Sequence, residues 1–138
     1  MVGGSLAKKL TRRFRARVTV DGDTWARDDF MAVAASCVEQ IGLGFKPFYR
    51  CNERVHSFAL LGIHAASPLG FAFELPRIWR GRPMRRDKTI DAVASEVRFE
   101  HDEISYVVDG DTYTVKESLR VANGPKLTFL RLSGQVGG

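Results

Sequence analysis

Only two cysteines, Cys37 and Cys51, occur in the 138 residues. A disulfide framework needs more, so the expectation is free thiols in a reducing compartment. No basic start followed by an apolar run marks a secretory signal. Val2, not glycine, follows Met1, so the N-myristoylation pattern is not met. No apolar run approaches the roughly 18–20 residues that span a bilayer, which leaves a peripheral membrane role but not an integral one. Histidine is scarce too: His56, His64 and His101 are the full set. With no C-x-x-C and no H-E-x-x-H spacing, no metal site is expected. No G-x-x-x-x-G-K-[ST] phosphate loop occurs. Cys51 with His56, or Cys37 with His64, would be the only nucleophile–base pairings to consider, and no spacing supports either. The expectation is a protein without cofactor or metal that is not an enzyme.

What is present is a globular composition with an uneven charge. Hydrophobic residues make up 44% of the chain, and the length suits one domain with a real core. The net charge is +5. Residues 1–20 hold Lys8, Lys9, Arg12, Arg13, Arg15 and Arg17 with no acid. Residues 77–88 hold Arg77, Arg80, Arg82, Arg85, Arg86 and Lys88 against the single acid Asp87. The remaining residues are net acidic. Clustered positive charge attracts phosphate, whether of lipid headgroups or of nucleic acid.

Along the chain, residues 1–11 read as a flexible basic arm, 12–133 as one globular domain and 134–138 as a flexible tail. From Arg13 to Val20 the residues alternate, with Phe14, Ala16, Val18 and Val20 on one face and arginines on the other. That predicts a half-buried strand, ended by the turn Asp21-Gly22-Asp23. Phe30, Val33, Ala34, Cys37, Val38 and Ile41 fall at helical spacing, which predicts an amphipathic helix over 28–41 with Cys37 inside its buried stripe. Phe45–Cys51, Val55–His64 and Phe71–Leu75 read as strands, 65–70 as a loop carrying Leu69, and 77–88 as an irregular loop with Trp79 among its arginines. Residues 90–97 fit a short helix or the start of a strand. Asp109-Gly110-Asp111 predicts a hairpin between Ile104–Val108 and Thr112–Val115, and Lys126–Leu132 a last strand. The echo between Val20-Asp21-Gly22-Asp23-Thr24-Trp25 and Val108-Asp109-Gly110-Asp111-Thr112-Tyr113 reads as repeated turn chemistry, because neither copy has the further ligands of a calcium loop. The fold class expected is α+β: a single domain with a bent antiparallel sheet and one main amphipathic helix packed on it.

The order of the segments FRARVTVDGDTWARDDFMAVAA, IGLGFKPFYR, SFALLGIHAASP and ELPRIWRGRP resembles that of rhabdovirus matrix proteins, the vesiculovirus group above all. The likeness runs over about residues 12–84. It implies a structural protein of the virion, lying beneath the envelope and on the inner face of host membranes in the cytoplasm. Its partners would be an anionic lipid membrane, the viral nucleocapsid or ribonucleoprotein, and further copies of itself. Its implied action is assembly and budding, although no P-P-x-Y or P-[ST]-A-P motif precedes the first strand. Leu69 matches the family's membrane-inserting loop. The membrane- or anion-binding candidates are therefore Leu69 and the two basic clusters named above. The alternative is an RNA-binding module using the same patches, with Arg13, Arg15 and Arg17 on phosphate and Trp79 stacking on a base.

Overall fold

A computed structural model describes residues 13–65 and 67–125. Nine strands form three sheets among these residues. β1 (Phe14–Arg15) pairs with β4 (Asp29–Phe30). β2 (Arg17–Val20), β3 (Asp23–Thr24), β8 (Glu96–Val108) and β9 (Asp111–Ala122) form an antiparallel sheet in the order β3-β2-β8-β9. β5 (Ala32–Ser36), β6 (Phe58–Ile63) and β7 (Thr89–Ala94) form the third, with β6 in the middle. Two five-residue helices, α1 (Pro68–Ala72) and α2 (Leu75–Trp79), lie between β6 and β7 in the chain.

The central sheet is apolar on both faces, which explains its sequence. In β6, Phe58 and Leu60 point into a cluster shared with Val18 and Val20 of β2, Ala94 of β7, and Val97 and Phe99 of β8. Ala59 and Leu61 point the other way, into a second cluster with Phe48, Cys51, Ile78 and Met84. β5 divides in the same manner: Val33 packs on the first cluster and Ala34 on the second. A strand covered on both sides reads as a continuous apolar run rather than as an alternation. Gly62 completes β6 facing the first cluster. A Cβ there would stand 2.9 Å from Ile90 and from Trp25 and 3.0 Å from Phe30, so only glycine admits these side chains.

The expected fold class is therefore corrected. The chain is mainly β, and among the described residues there are three sheets and no main amphipathic helix. Residues 28–41, expected as that helix, supply β4 and β5 and then an irregular stretch. Their apolar spacing satisfies two periods at once, and pairing of Ala32–Ser36 with β6 decides between them. Cys37 is exposed, not buried in a stripe; Cys51 is the buried thiol, and burial pushes its pKa up. Phe45–Cys51 forms turns, not a strand. Phe71–Leu75, expected as a strand, is helical because Ser67-Pro68 and Leu75-Pro76 both begin helices: the Ser67 hydroxyl accepts from Gly70 N at 3.0 Å, and each proline sits in a first turn.

Other expectations match local features. β2 buries Val18 and Val20. Residues 90–97, readable as a short helix or the start of a strand, are not helical: β7 runs through Ala94 and β8 begins at Glu96. Both Asp-Gly pairs form tight hairpin turns with two successive positive φ angles, 47° and 94° at Asp21-Gly22 and 51° and 90° at Asp109-Gly110. The second hairpin is much longer than expected. β2 covers β8 only as far as Glu100. Beyond it the register shifts between His101 and Glu103, and the rest of the hairpin pairs only with itself, with Tyr106 stacked on Tyr113 across the strands. The arm at 1–11, the strand at Lys126–Leu132 and the tail lie outside the described residues.

Candidate functional site: a basic and apolar face

The two basic clusters meet different fates. Lys8, Lys9 and Arg12 lie outside the described residues. Arg13 is structural: its Nε donates to both oxygens of Asp29 at 2.9 and 3.1 Å, and one terminal nitrogen donates to the Ala65 carbonyl at 2.6 Å. The other terminal nitrogen reaches the carbonyls of His64 and Asp29 at 3.4 and 3.5 Å. The Arg13 hydrogen bond holds the Asp29 carboxyl below its ordinary value. Arg15 and Arg17 are exposed, and Arg17 stands 3.6 Å from Glu100. They border a shallow groove of about 330 Å³ whose walls also carry Asp28, Glu100 and His101, so the groove has no single sign of charge.

The second cluster is built around an acid that sequence reading passed over. Glu74, 1% exposed, joins α1 to α2. Its carboxylate accepts from the backbone N–H of Arg85 at 3.1 Å. Around it stand Lys88 at 3.5 Å, Arg85 at 3.7 Å and Arg77 at 4.0 Å. Lys88 also donates to the Gly70 carbonyl at 3.0 Å and so ties the start of β7 to α1. Three of the six cations in 77–88 thus stand within 4 Å of one buried carboxylate, Lys88 largely covered and Arg77 and Arg85 still half in solvent, and they draw a turn-rich segment back over the helices. Arg80, Arg82 and Arg86 are exposed and have no carboxylate within 4 Å among the described residues.

The helices are amphipathic in miniature. Ile78 is buried and Phe71 half-buried in the apolar cluster around Phe48 and Leu61. On the solvent side stand Leu69 at 71% exposure, Phe73 at 72% and Trp79 at 61%, with Leu75 less exposed. Leu69–Phe73 and Leu75–Trp79 have the four-residue spacing that stacks side chains on one side of a helix. The turn at Gly42–Gly44 lies against α2: Lys46 N donates to the Ile78 carbonyl at 3.0 Å, and a Cβ on Gly44 would stand 3.4 Å from Trp79 Nε1. The turn displays Leu43 at 91% exposure in the left-handed region, φ 62°, which a leucine rarely adopts. Leu43, Phe73 and Glu74 were not legible as site residues. The Pro-started helices were the available signal for the last two, since they fix which side of 67–79 faces inward.

No protein-family model matches the sequence, and no curated protein matches it by sequence. Solved structures do match. A crystal structure of a candidate diacylglycerol kinase from Bacillus anthracis str. Sterne aligns with a TM-score of 0.60 at 16% identity, over 90% of this chain and 47% of that one. A second structure of a diacylglycerol kinase from the same organism aligns with a TM-score of 0.53 at 13% identity, over 88% of this chain and 47% of that one. The chain has their fold. It spans about half the length of the structures it matches.

These matches overturn the resemblance to rhabdovirus matrix proteins, and with it the virion structural role and the RNA-binding alternative. They also overturn the expectation of a protein that is not an enzyme, since the fold is one found in proteins described as kinases. The matrix likeness rested on the order of short motifs around a helix at 28–41, and the chain forms strands there.

Proposed function

We propose that this chain is the β-rich half of a lipid kinase of the diacylglycerol kinase type. The observation that carries the reading is the fold match: nearly the whole chain aligns, onto about half of each neighbour. The chain's own surface fits the lipid side of such a reaction, because the exposed Leu69, Phe73 and Trp79 lie in a segment followed directly by the exposed Arg80 and Arg82. In the reaction, the lipid hydroxyl oxygen forms a bond to the terminal phosphorus of a nucleoside triphosphate. The bond to the bridging oxygen breaks, the nucleoside diphosphate leaves, and the hydroxyl proton is released.

The test is transfer of labelled terminal phosphate from ATP to diacylglycerol in mixed vesicles, by the chain together with whatever sequence adjoins it in its natural product. Phosphatidic acid should form, and deletion of residues 13–125 should abolish it. Failure to phosphorylate diacylglycerol or any other long-chain alcohol, by a folded protein, would sink the reading.

A further inference from the structure

We propose that the surface carrying Leu43, Leu69, Phe73 and Trp79 beside Arg80, Arg82 and Arg86 docks on the face of an anionic lipid bilayer. The inference goes beyond the kinase reading and holds or falls without it. The apolar side chains enter the boundary between headgroups and acyl chains, and the guanidinium groups meet lipid phosphates.

Three features point to that partner. The first is exposure: each of the four apolar side chains is at least 61% exposed, on two adjoining short helices and the turn packed against them. Scattered single leucines on a surface are ordinary, but a patch combining Trp, Phe and Leu marks an interaction surface. The second is rigidity. The buried Ile78, the half-buried Phe71 and the buried Glu74 hold the helices from beneath, so little ordering remains to be done on binding. Leu43 is held outward at φ 62°, between two glycines, in a conformation that nothing in the apolar clusters requires. The third is charge complementarity. Glu74 takes Arg77, Arg85 and Lys88, while Arg80, Arg82 and Arg86, which follow Trp79 in the chain, are exposed and have no carboxylate within 4 Å among the described residues. Tryptophan with flanking arginine is the composition that settles at headgroup depth, where an arginine stem lies along apolar surface while its head meets phosphate. A nucleic acid would match the arginines and stack on Trp79, but it would leave the two leucines wetted.

The experiment is flotation of the full 138-residue chain, without nucleotide, on vesicles of phosphatidylcholine alone and of phosphatidylcholine with about one third phosphatidylserine. The chain should float only with phosphatidylserine. Each arginine near an anionic surface contributes roughly fivefold, so R80A/R82A/R86A should weaken binding about 100-fold. F73S/W79S should weaken it at least about tenfold. R15A/R17A should change it less than about twofold. Trp79→Phe should float normally but lose the fluorescence blue shift that vesicles induce in the wild-type chain. All these side chains are exposed or half-exposed, and a melting curve for each variant confirms that it folds. Equal flotation on both vesicle types overturns the proposal, as does binding that survives both the arginine and the aromatic variants. RNA binding at physiological salt without flotation overturns it in favour of nucleic acid. A chain that floats while its natural product phosphorylates no lipid keeps this inference and sinks only the kinase reading; a working kinase whose chain does not float does the reverse.

Discussion

Arg13 and Arg80 come from stretches that look equally basic in sequence, yet they do opposite things. Arg13 is spent inside the fold, with its guanidinium shared among Asp29 and the carbonyls of His64 and Ala65. Arg80 stands in solvent next to Trp79 with no carboxylate within 4 Å among the described residues. What separates them is where a carboxylate sits. Asp29 in β4 lies opposite Arg15 in register, and Arg13, just before β1, reaches back to its carboxylate, so the first stretch is held to β4. Glu74 is buried beneath the second stretch and selects three cations of six. Charge counted along a chain overstates the charge available to a partner, because buried acids claim their share first.

The sharpest way to break this comparison is Glu74→Ala. Removing a fully buried carboxylate leaves Lys88, itself 18% exposed, without its counter-charge, and strips the Arg85 N–H of its acceptor. Loss of one partner from a buried ionic group costs about 3 kcal/mol. For a chain of this size that lowers the melting temperature by roughly 10 °C. A thermal melt checks it. An unchanged melting temperature would mean that the second stretch is organised by something other than Glu74.

The first stretch should respond less. Arg13→Ala leaves the Asp29 carboxylate and the carbonyls of the buried His64 and Ala65 without this donor, but the Asp29 side chain is 41% exposed and water replaces its share of what is lost. About 1–2 kcal/mol is expected, read by urea unfolding. Should Arg13→Ala exceed Glu74→Ala, the ranking of the two anchors is reversed.

Local chemistry was the legible part of this sequence. Both Asp-Gly hairpins, the inward valines of β2 and the apolar β6 follow from turn residues and alternation, and the structure has them. The central sheet was not legible. Ala32–Ser36 is apolar on both faces, and a run such as AVAA fits helix and strand equally until β6 is known to lie beside it. The two helices misled for a related reason. Phe71, Phe73 and Leu75 alternate like a strand, and only the capping Ser67 and the prolines at 68 and 76 speak for helix. Of the site, Leu69 and the free arginines were within reach, whereas Glu74 was one acid among 16, with nothing in its neighbours to announce its burial.

Acid should weaken the first stretch and its neighbouring turn. Asp29 is held below its ordinary 3.8 by its hydrogen bond with Arg13. Burial pushes Asp21 up, but the Arg54 side chain and the backbone N–H groups of Glu96 and Ser95 outweigh it, and its pKa too ends below 3.8. Groups depressed in the fold bind fewer protons folded than unfolded, so the stability they contribute is complete above the unfolded pKa and is lost as pH falls through the folded one. Melting temperature should fall below about pH 4. The slope should be shallower in Asp29→Asn and in Asp21→Asn. His64 adds a gentler slope at higher pH. Burial, chiefly, lowers its pKa from 6.5, so the unfolded chain takes up its proton first and stability declines as pH drops below that value.

The smallest effect is also the most diagnostic of the contrast. Arg17 stands four residues after the anchoring Arg13, at the start of β2, but its contact with Glu100 is 3.6 Å long and its side chain is 70% exposed. A long ion pair in solvent gains little Coulomb energy and restrains two flexible side chains. Arg17→Ala should therefore change stability by less than about 0.5 kcal/mol, within the range of neutral surface substitutions. Raising the salt concentration should erase whatever remains, because solvent ions screen exposed pairs and leave buried ones largely intact. If Arg17→Ala destabilised the chain as much as Arg13→Ala, proximity to Asp29 would not be what makes Arg13 an anchor, and the whole first stretch would have to be reread as one cooperative edge.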